Sequence, residues 1–220
     1  TRCGTSLSSH EVAQGYKTIK ENSIYVKFPT GKDSKTYFLV WTTTPWTLPA
    51  NVALAIGEDI TYVKVLIKKT GENFILAKDR LSILGEEYEI LEEIKGEKLK
   101  WYTYEKLYAS SSTAPEGKTS PQVLRGLGDG RLIFTEREQI EKNNYKVYLA
   151  DFVSTEEGTG IVHIAPAFGE DDINLGKKES LTMPITVNLD GFIIKGHKIP
   201  GEGMSVSYTH LRAHETVLDL

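Results

Sequence analysis

The sequence is short of cysteine, of positive charge and of long apolar runs, and each shortage excludes something. One cysteine, Cys3, stands among 220 residues. A lone thiol makes no internal disulfide and no cysteine-type zinc site, so Cys3 reads as a reduced cytosolic thiol. Lysine and arginine number 26 against 30 aspartates and glutamates, a net charge of −4. That balance lacks the basic signature of a chain that grips a phosphate backbone alone. It leaves room for a domain that is handed one end of an RNA by a larger partner. No secretory apolar core and no run long enough to span a bilayer occurs, so we expect no membrane partner and a cytoplasmic location.

Familiar catalytic machinery is missing too. There is no HExxH, no paired-cysteine metal set and no G-x-S-x-G elbow, and no serine or cysteine nucleophile stands beside a base and its orienter. No metal and no cofactor is expected. Gly126, Gly128 and Gly130 lack the strand, spacing and lysine of a phosphate loop and read as a plain turn. His197 lies among glycine and lysine on an expected surface loop, and His10, His210 and His214 carry no pattern.

What is present suffices for a folded protein. Hydrophobic residues make up 40% and charged residues 25%, ordinary values for a globular domain with a core of useful size. The chain opens on Thr1, in mid-motif, and is expected to be a fragment of something longer. Residues 1–22 read as an entering linker, 23–206 as the domain, and 109–121, rich in Ser, Thr, Pro and Gly, as a flexible loop within it. Residues 207–220 resemble a cloning or assembly artefact and are assigned no function.

Short strands dominate the pattern. Ile24, Val26 and Phe28 alternate with Tyr25 and Lys27, a half-buried strand. A turn at 31–34 leads into a second strand over 36–41, which makes a hairpin. Pro45 and Pro49 predict mostly loop over 42–51. Further strands are expected at 52–56, 61–67, 74–77, from 131, and over 145–153, and 88–94 is a strand candidate whose acidic residues also allow a helix. A short helix is expected at 79–84, a tight turn at 156–160, a short buried strand at 161–164, a helix over 168–178 and a hairpin turn at Asp190-Gly191. The fold class is therefore mainly β, a barrel-like core with a few peripheral helices. Long helices do not alternate with strands, which argues against a dinucleotide-binding α/β fold.

Two polar clusters stand out. The first is Trp41-Thr42-Thr43-Thr44-Pro45-Trp46-Thr47-Leu48-Pro49-Ala50-Asn51. Threonine hydroxyls both donate and accept hydrogen bonds, as an ester and an ammonium group require, and the prolines reduce the entropy lost on aiming them. A threonine-rich strand end with the tryptophans in the core is an equal reading. The second cluster is Gly158 to Asp172, with His163 after two β-branched residues and Asp171-Asp172 at a helix start. A histidine there is more often a satisfied core residue, and acidic residues at a helix start also suit the helix dipole. Adjacent helical residues point about 100° apart, so only one of the two aspartates is expected to face a given pocket.

Together the two strings resemble the inserted editing domain of the isoleucyl/valyl/leucyl group of class I aminoacyl-tRNA synthetases. Thr-Thr-Thr-Pro-Trp-Thr at 42–47 is similar to the isoleucyl branch; the other two branches typically place Arg before the proline and Glu after it. Ser8–Tyr16 also resembles the isoleucyl linker entering this domain, and the likeness spans roughly residues 1–206. The synthetic signatures HIGH and KMSKS are absent, so neither amino-acid activation nor charging is expected of this chain. The resemblance implies proofreading: hydrolysis of valine wrongly esterified to isoleucine tRNA. The partners implied are the acceptor end of that tRNA carrying valine and the catalytic core of the parent synthetase. Valine and isoleucine differ by one methylene, a standard illustration of a difference worth only ~1–3 kcal/mol to an apolar pocket, hence a second site that admits the smaller product. By position, the resemblance implies that Asp172, nine residues after His163, binds the α-ammonium. It implies that His163 lines the side-chain pocket and rejects isoleucine. Thr42, Thr43, Thr44, Trp46 and Thr47 would shape the pocket and bind the terminal adenosine and the ester, and Asn51 would support them. Lys177, Lys178, Lys195 and Lys198 are either a local basic edge or a solvated face. Two other readings stay open: a noncatalytic barrel that stacks nucleic acid on Trp41, Trp46 and Trp101, and a folded fragment inactive without its parent.

Overall fold

The computed structural model describes residues 23–31, 33, 35–108, 123–126, 132–135, 142–188, 190–194 and 205–206. The linker at 1–22, the loop at 109–121, the tail from 207, Lys195, and the other histidines His10, His197, His210 and His214 lie outside them.

Five strands form the larger sheet: β1 (Ile24–Pro29), β2 (Thr36–Thr42), β4 (Thr61–Ile67), β5 (Asn73–Ala77) and β6 (Tyr88–Lys95), in the order β1-β2-β5-β4-β6. β1 and β2 form the hairpin that the alternation predicts, with Phe28 opposite Phe38. β2 runs parallel to β5, and the other pairs are antiparallel. A second sheet orders β10 (Ile161–Ile164), β3 (Ala53–Ile56) and β9 (Lys146–Leu149), with β3 parallel to β9 and antiparallel to β10. β7 (Val123–Gly126) and β8 (Leu132–Thr135) pair as a separate antiparallel ribbon. Two helices, α1 (Gly96–Leu99) and α2 (Glu170–Lys178), and two 3-10 helices, Pro45–Ala50 and Lys78–Ile83, complete the described elements. The chain is mainly β, as the sequence predicts, but no closed barrel forms among the described residues: the strands divide into open sheets.

The two larger sheets bury a shared core. Phe28, Phe38, Val40 and Tyr62 from one sheet meet Leu54, Ile56, Val147 and Ile161 from the other. The opposite faces are also covered. Ala53, Ala55, Tyr148 and Ile164 pack with Leu175 of α2, while Leu39, Val63, Val65 and Leu76 pack beneath Leu81 and Ile83 of the second 3-10 helix. Strands β2 and β3 are therefore apolar on both faces, which is why Ala53–Ile56 reads as a continuous run rather than an alternation.

Tyr62 ties the sheets together by its hydroxyl. It donates to the Gly160 carbonyl at 2.7 Å and accepts the Gly57 N–H at 3.0 Å, so a β4 side chain closes both the end of β3 and the start of β10. Burial holds the phenol well above its ordinary range. Tyr62→Phe should leave a buried N–H and a buried carbonyl without that partner. The expected loss is about 2 kcal/mol of unfolding free energy with the fold retained, read by urea titration.

The segment at 42–51 departs from expectation. Instead of loop, residues Pro45–Ala50 form a 3-10 helix with Pro45 in its first turn and Pro49 inside it. Proline at the first turn gives up an N–H that has no partner anyway, and its fixed φ suits a 3-10 turn as well as a break. The i to i+3 bonds from Thr47 N–H to the Thr44 carbonyl and from Asn51 N–H to the Leu48 carbonyl, both 3.0 Å, close the turns. α2 begins at Glu170, as the acidic start predicts. The turn at Asp190-Gly191 is closed by a bridge between Val187 and Ile193.

Candidate active site

Strand parity explains why the two polar clusters meet. Phe38, Val40 and Thr42 share one face of β2, and Phe38 and Val40 lie in the core between the sheets. Ile161 and His163 share one face of β10, and Ile161 lies in the same core. Thr42 and His163 thus end two rows of apolar side chains that face each other, and β10 runs alongside β2. The core becomes polar at this end because the sequence places threonine and histidine at the next inward positions.

The contacts centre on the buried His163 ring. His163 Nε2 lies 3.1 Å from Thr47 Oγ1 and 3.5 Å from Thr42 Oγ1. Thr47 Oγ1 donates to the Thr44 carbonyl at 2.8 Å, and Thr44 N–H donates to Thr42 Oγ1 at 3.1 Å. The Thr42 and Thr44 hydroxyl oxygens are 3.4 Å apart. Thr42, Thr47 and His163 are buried, Thr43 is half-buried and Thr44 is exposed. Burial alone pushes the His163 imidazolium down to about 4, so the ring is neutral at physiological pH.

Asp172 stands in the first turn of α2, between the exposed Asp171 and the core. One of the two adjacent carboxylates is half-buried and the other is in solvent. Asp172 Oδ2 accepts the N–H of Ala165, two residues beyond His163, at 3.3 Å, its only hydrogen bond among the described residues. The carboxyl also crowds the helix start, since a Cβ on Gly169 would lie 2.8 Å from Oδ2. Burial pushes Asp172 up to about 6; the Ala165 N–H opposes the shift and Asp171 adds to it. Asp172 therefore joins the cluster through the β10–α2 loop rather than through the threonine hydroxyls.

Two aromatic contacts brace the site. The Trp46 ring meets Phe168 edge-on with centroids 5.2 Å apart, clamping the 3-10 helix to the loop that leads into α2. Trp41 packs on Gly158, where φ is +66° and a Cβ would stand 2.8 Å from the indole. Only glycine combines that backbone with that approach. Arg80 fixes the same turn, donating to the Gly158 carbonyl at 2.8 Å and the Glu156 carbonyl at 3.2 Å.

Asn51 is buried, and both ends of its amide are occupied. Nδ2 donates to the Ala53 carbonyl at 2.9 Å, and Oδ1 accepts from the Tyr104 hydroxyl at 2.6 Å. Thr43 makes no side-chain hydrogen bond among the described residues. No sequence pattern points to Tyr104: it lies 53 residues from Asn51, a separation that no spacing rule connects. Lys177 and Lys178 fall in the last turn of α2. Among the described residues no three His, Cys, Asp or Glu side chains converge as a metal site, and no helix is long and apolar enough to cross a membrane.

The fold has solved counterparts. The editing domain of the Plasmodium knowlesi cytosolic leucyl-tRNA synthetase superposes with a TM-score of 0.57 at 11% identity, covering 91% of this chain and 95% of that one. The corresponding Plasmodium falciparum domain gives 0.54 at 13% identity, covering 86% of this chain and 78% of that one. No family model matches the chain. The architecture is thus that of the editing domains of class I aminoacyl-tRNA synthetases. Sequence then gives the branch. The isoleucine–tRNA ligase of Clostridium acetobutylicum is 46% identical over 190 residues, covering 86% of this chain and 16% of the ligase. That of Clostridium tetani is 43% identical over 206 residues, 93% of this chain and 17% of the ligase. The chain is thus homologous to one segment of the isoleucyl-tRNA synthetases, with the fold of an editing domain, and it spans about 16% of the length of the curated relatives it matches.

Proposed function

We propose that this chain removes valine from misacylated isoleucine tRNA after transfer, by hydrolysis of the aminoacyl ester, as the proofreading part of an isoleucyl-tRNA synthetase. The observation that carries the reading is the meeting of the Thr42–Thr47 segment with His163, two residues before Ala165, whose N–H the half-buried Asp172 carboxylate accepts. Asp172 receives the α-ammonium. An acidic group raised by burial gains most when a cation arrives, because the incoming charge offsets its desolvation. Thr42, Thr43, Thr44 and Trp46 shape the pocket and contact the ester and the terminal adenosine. His163 lines the side-chain pocket and refuses the extra methylene of isoleucine. Asn51, with both ends of its amide held internally, supports the segment rather than touching substrate.

The chemistry needs little more than position. Water adds to the ester carbonyl, the bond to the ribose oxygen breaks, and the proton leaves the water for the tRNA's own terminal ribose. An aminoacyl ester is already activated, so orientation and fixed dipoles suffice without a covalent intermediate. His163, held near 4, is a weak base at neutral pH, which suits a specificity role better than a general-base one. The stacking alternative loses ground. Trp41 rests on Gly158 and Trp46 on Phe168, and of the three tryptophans only Trp101, at 50%, is exposed. The partners proposed are the tRNA acceptor end and the synthetic core of the parent enzyme, in the cytoplasm.

The test is release of the amino acid from isoleucine tRNA charged with valine or with isoleucine, followed with this chain alone. Preferential release of valine, by about 100-fold or more, supports the reading; the margin reflects exclusion by steric clash rather than by weaker contact. Equal release of both, or stable binding of the tRNA with no cleavage, overturns it.

A further inference from the structure

We infer that Thr47 is a positioning residue: it holds His163 in the tautomer that carries its proton on Nε2, so that Nδ1 is presented as a bare hydrogen-bond acceptor to the bound aminoacyl-adenosine. The argument is a count of protons. The Thr47 hydroxyl has one hydrogen, and the Thr44 carbonyl 2.8 Å away takes it. Thr47 Oγ1 then has only lone pairs to offer the ring nitrogen 3.1 Å away. Two lone pairs facing at that distance repel, so Nε2 is the donor. The Thr42 hydroxyl, at 3.5 Å, is too far to reverse the assignment.

The carbonyl fixes the direction of the chain of bonds. Thr44 C=O also accepts the Thr47 N–H at 3.0 Å, so backbone and side chain of one residue converge on one oxygen. That local 3-10 geometry is independent of His163, and the histidine adapts to it. The ring is neutral, one nitrogen is therefore unprotonated, and Nδ1 is buried with no partner among the described residues. A buried acceptor without a partner is uncommon and destabilising unless a ligand or water satisfies it. Donors of a suitable kind in an aminoacyl-adenosine are its ribose hydroxyl and its ammonium. This assignment rests on the proposed editing function for its ligand, but not for its tautomer. It also gives Thr47 a task distinct from contact with substrate.

The experiment has two arms on this chain. Nitrogen-15 spectra of histidine-labelled protein, with the His163 signals identified by their loss in His163→Gln, read the tautomer directly. We expect Nε2 protonated and Nδ1 unprotonated in the wild type and in Thr47→Ser, and a shift of the proton toward Nδ1 in Thr47→Val. Valine release should fall about tenfold in Thr47→Val, the worth of one ordinary hydrogen bond, and recover in Thr47→Ser. A wild-type ring protonated on Nδ1 overturns the proposal. So does a Thr47→Val protein with an unchanged tautomer. A wild-type chain with the assigned tautomer that releases no valine counts against the editing reading alone.

Discussion

Asp172→Asn should lower valine release by about 100-fold or more, the loss expected when one partner of a buried charge pair is removed, while making the empty protein more stable at alkaline pH. The two effects share a cause. The carboxyl is raised from its ordinary 3.8 to about 6 by burial, against the help of the Ala165 N–H. Between those values the folded state holds a proton that the unfolded chain has released, so stability falls as pH rises through the window and stays lower above it. Asparagine accepts the same N–H and carries no charge. The helix dipole opposes the gain, since Asp172 lies in the first turn of α2, but Glu170 and Asp171 remain there to complement it. Burial is the larger effect, and after discounting for partial exposure the net gain is about 1 kcal/mol. Melting curves of both proteins should coincide near pH 3 and separate by pH 8 with the variant higher. A variant that melts lower at pH 8, or one that still releases valine, would show that this carboxylate is ordinary surface acid.

His163 has the opposite slope. Its proton affinity is depressed from 6.5 to about 4, so the stability it contributes is complete above pH 6.5 and is lost as pH falls toward 4. The wild-type pH profile between 4 and 6 is therefore a difference of two opposed trends. The Asp172→Asn profile, carrying only the histidine part, should rise more steeply with pH across that interval.

Much of the fold was legible because burial on one face leaves a period of two. Ile24, Val26 and Phe28 show it, and so does the turn that returns the chain into β2. Sheet order was not legible. The parallel pairs β2–β5 and β3–β9 join segments far apart in sequence, and nothing local specifies them. That is also why the sequence suggests a closed barrel: short strands in number do not reveal whether their edges meet. The prolines at 45 and 49 suggest breaks because their missing N–H groups exclude a central strand or a helix interior, yet a 3-10 turn accommodates both. At the candidate site, the threonines, His163 and Asp172 stand out in the sequence as site residues only through resemblance. What brings Thr42 to His163 is the parity of Thr42 with Val40 and of His163 with Ile161, which has meaning only once the two sheets are known to face each other. Tyr104, buried against Phe28 and holding Asn51, left no trace in the sequence beyond being an aromatic residue.

Gly96→Ala should be the most damaging single methyl in the described part of the molecule. Gly96 joins β6 to α1, and its N–H donates to the Ile60 carbonyl at 3.0 Å, pressing it against the turn that follows β3. A Cβ there would meet the Gly57 carbonyl oxygen at 1.9 Å and the Glu58 carbonyl oxygen at 2.9 Å. Both obstacles are backbone, so no rotamer change relieves the clash. Gly57 N–H is itself held by Tyr62, whose hydroxyl also holds Gly160. Moving the 57–58 turn away therefore strains the link between the sheets and the start of β10, the strand that carries His163. The expected loss is about 3 kcal/mol or more, at or beyond the upper end for an inserted methyl, and in a marginally stable domain that reads as failure to fold. Gly85→Ala is the matched control: nothing lies within 4 Å of its added methyl, and no positive φ is required. It should leave stability unchanged or slightly raised through the unfolded chain. Parallel denaturant titrations decide the matter, and equal midpoints for the two variants would mean that the 57–58 turn yields without cost and that the sheets are not locked at that corner.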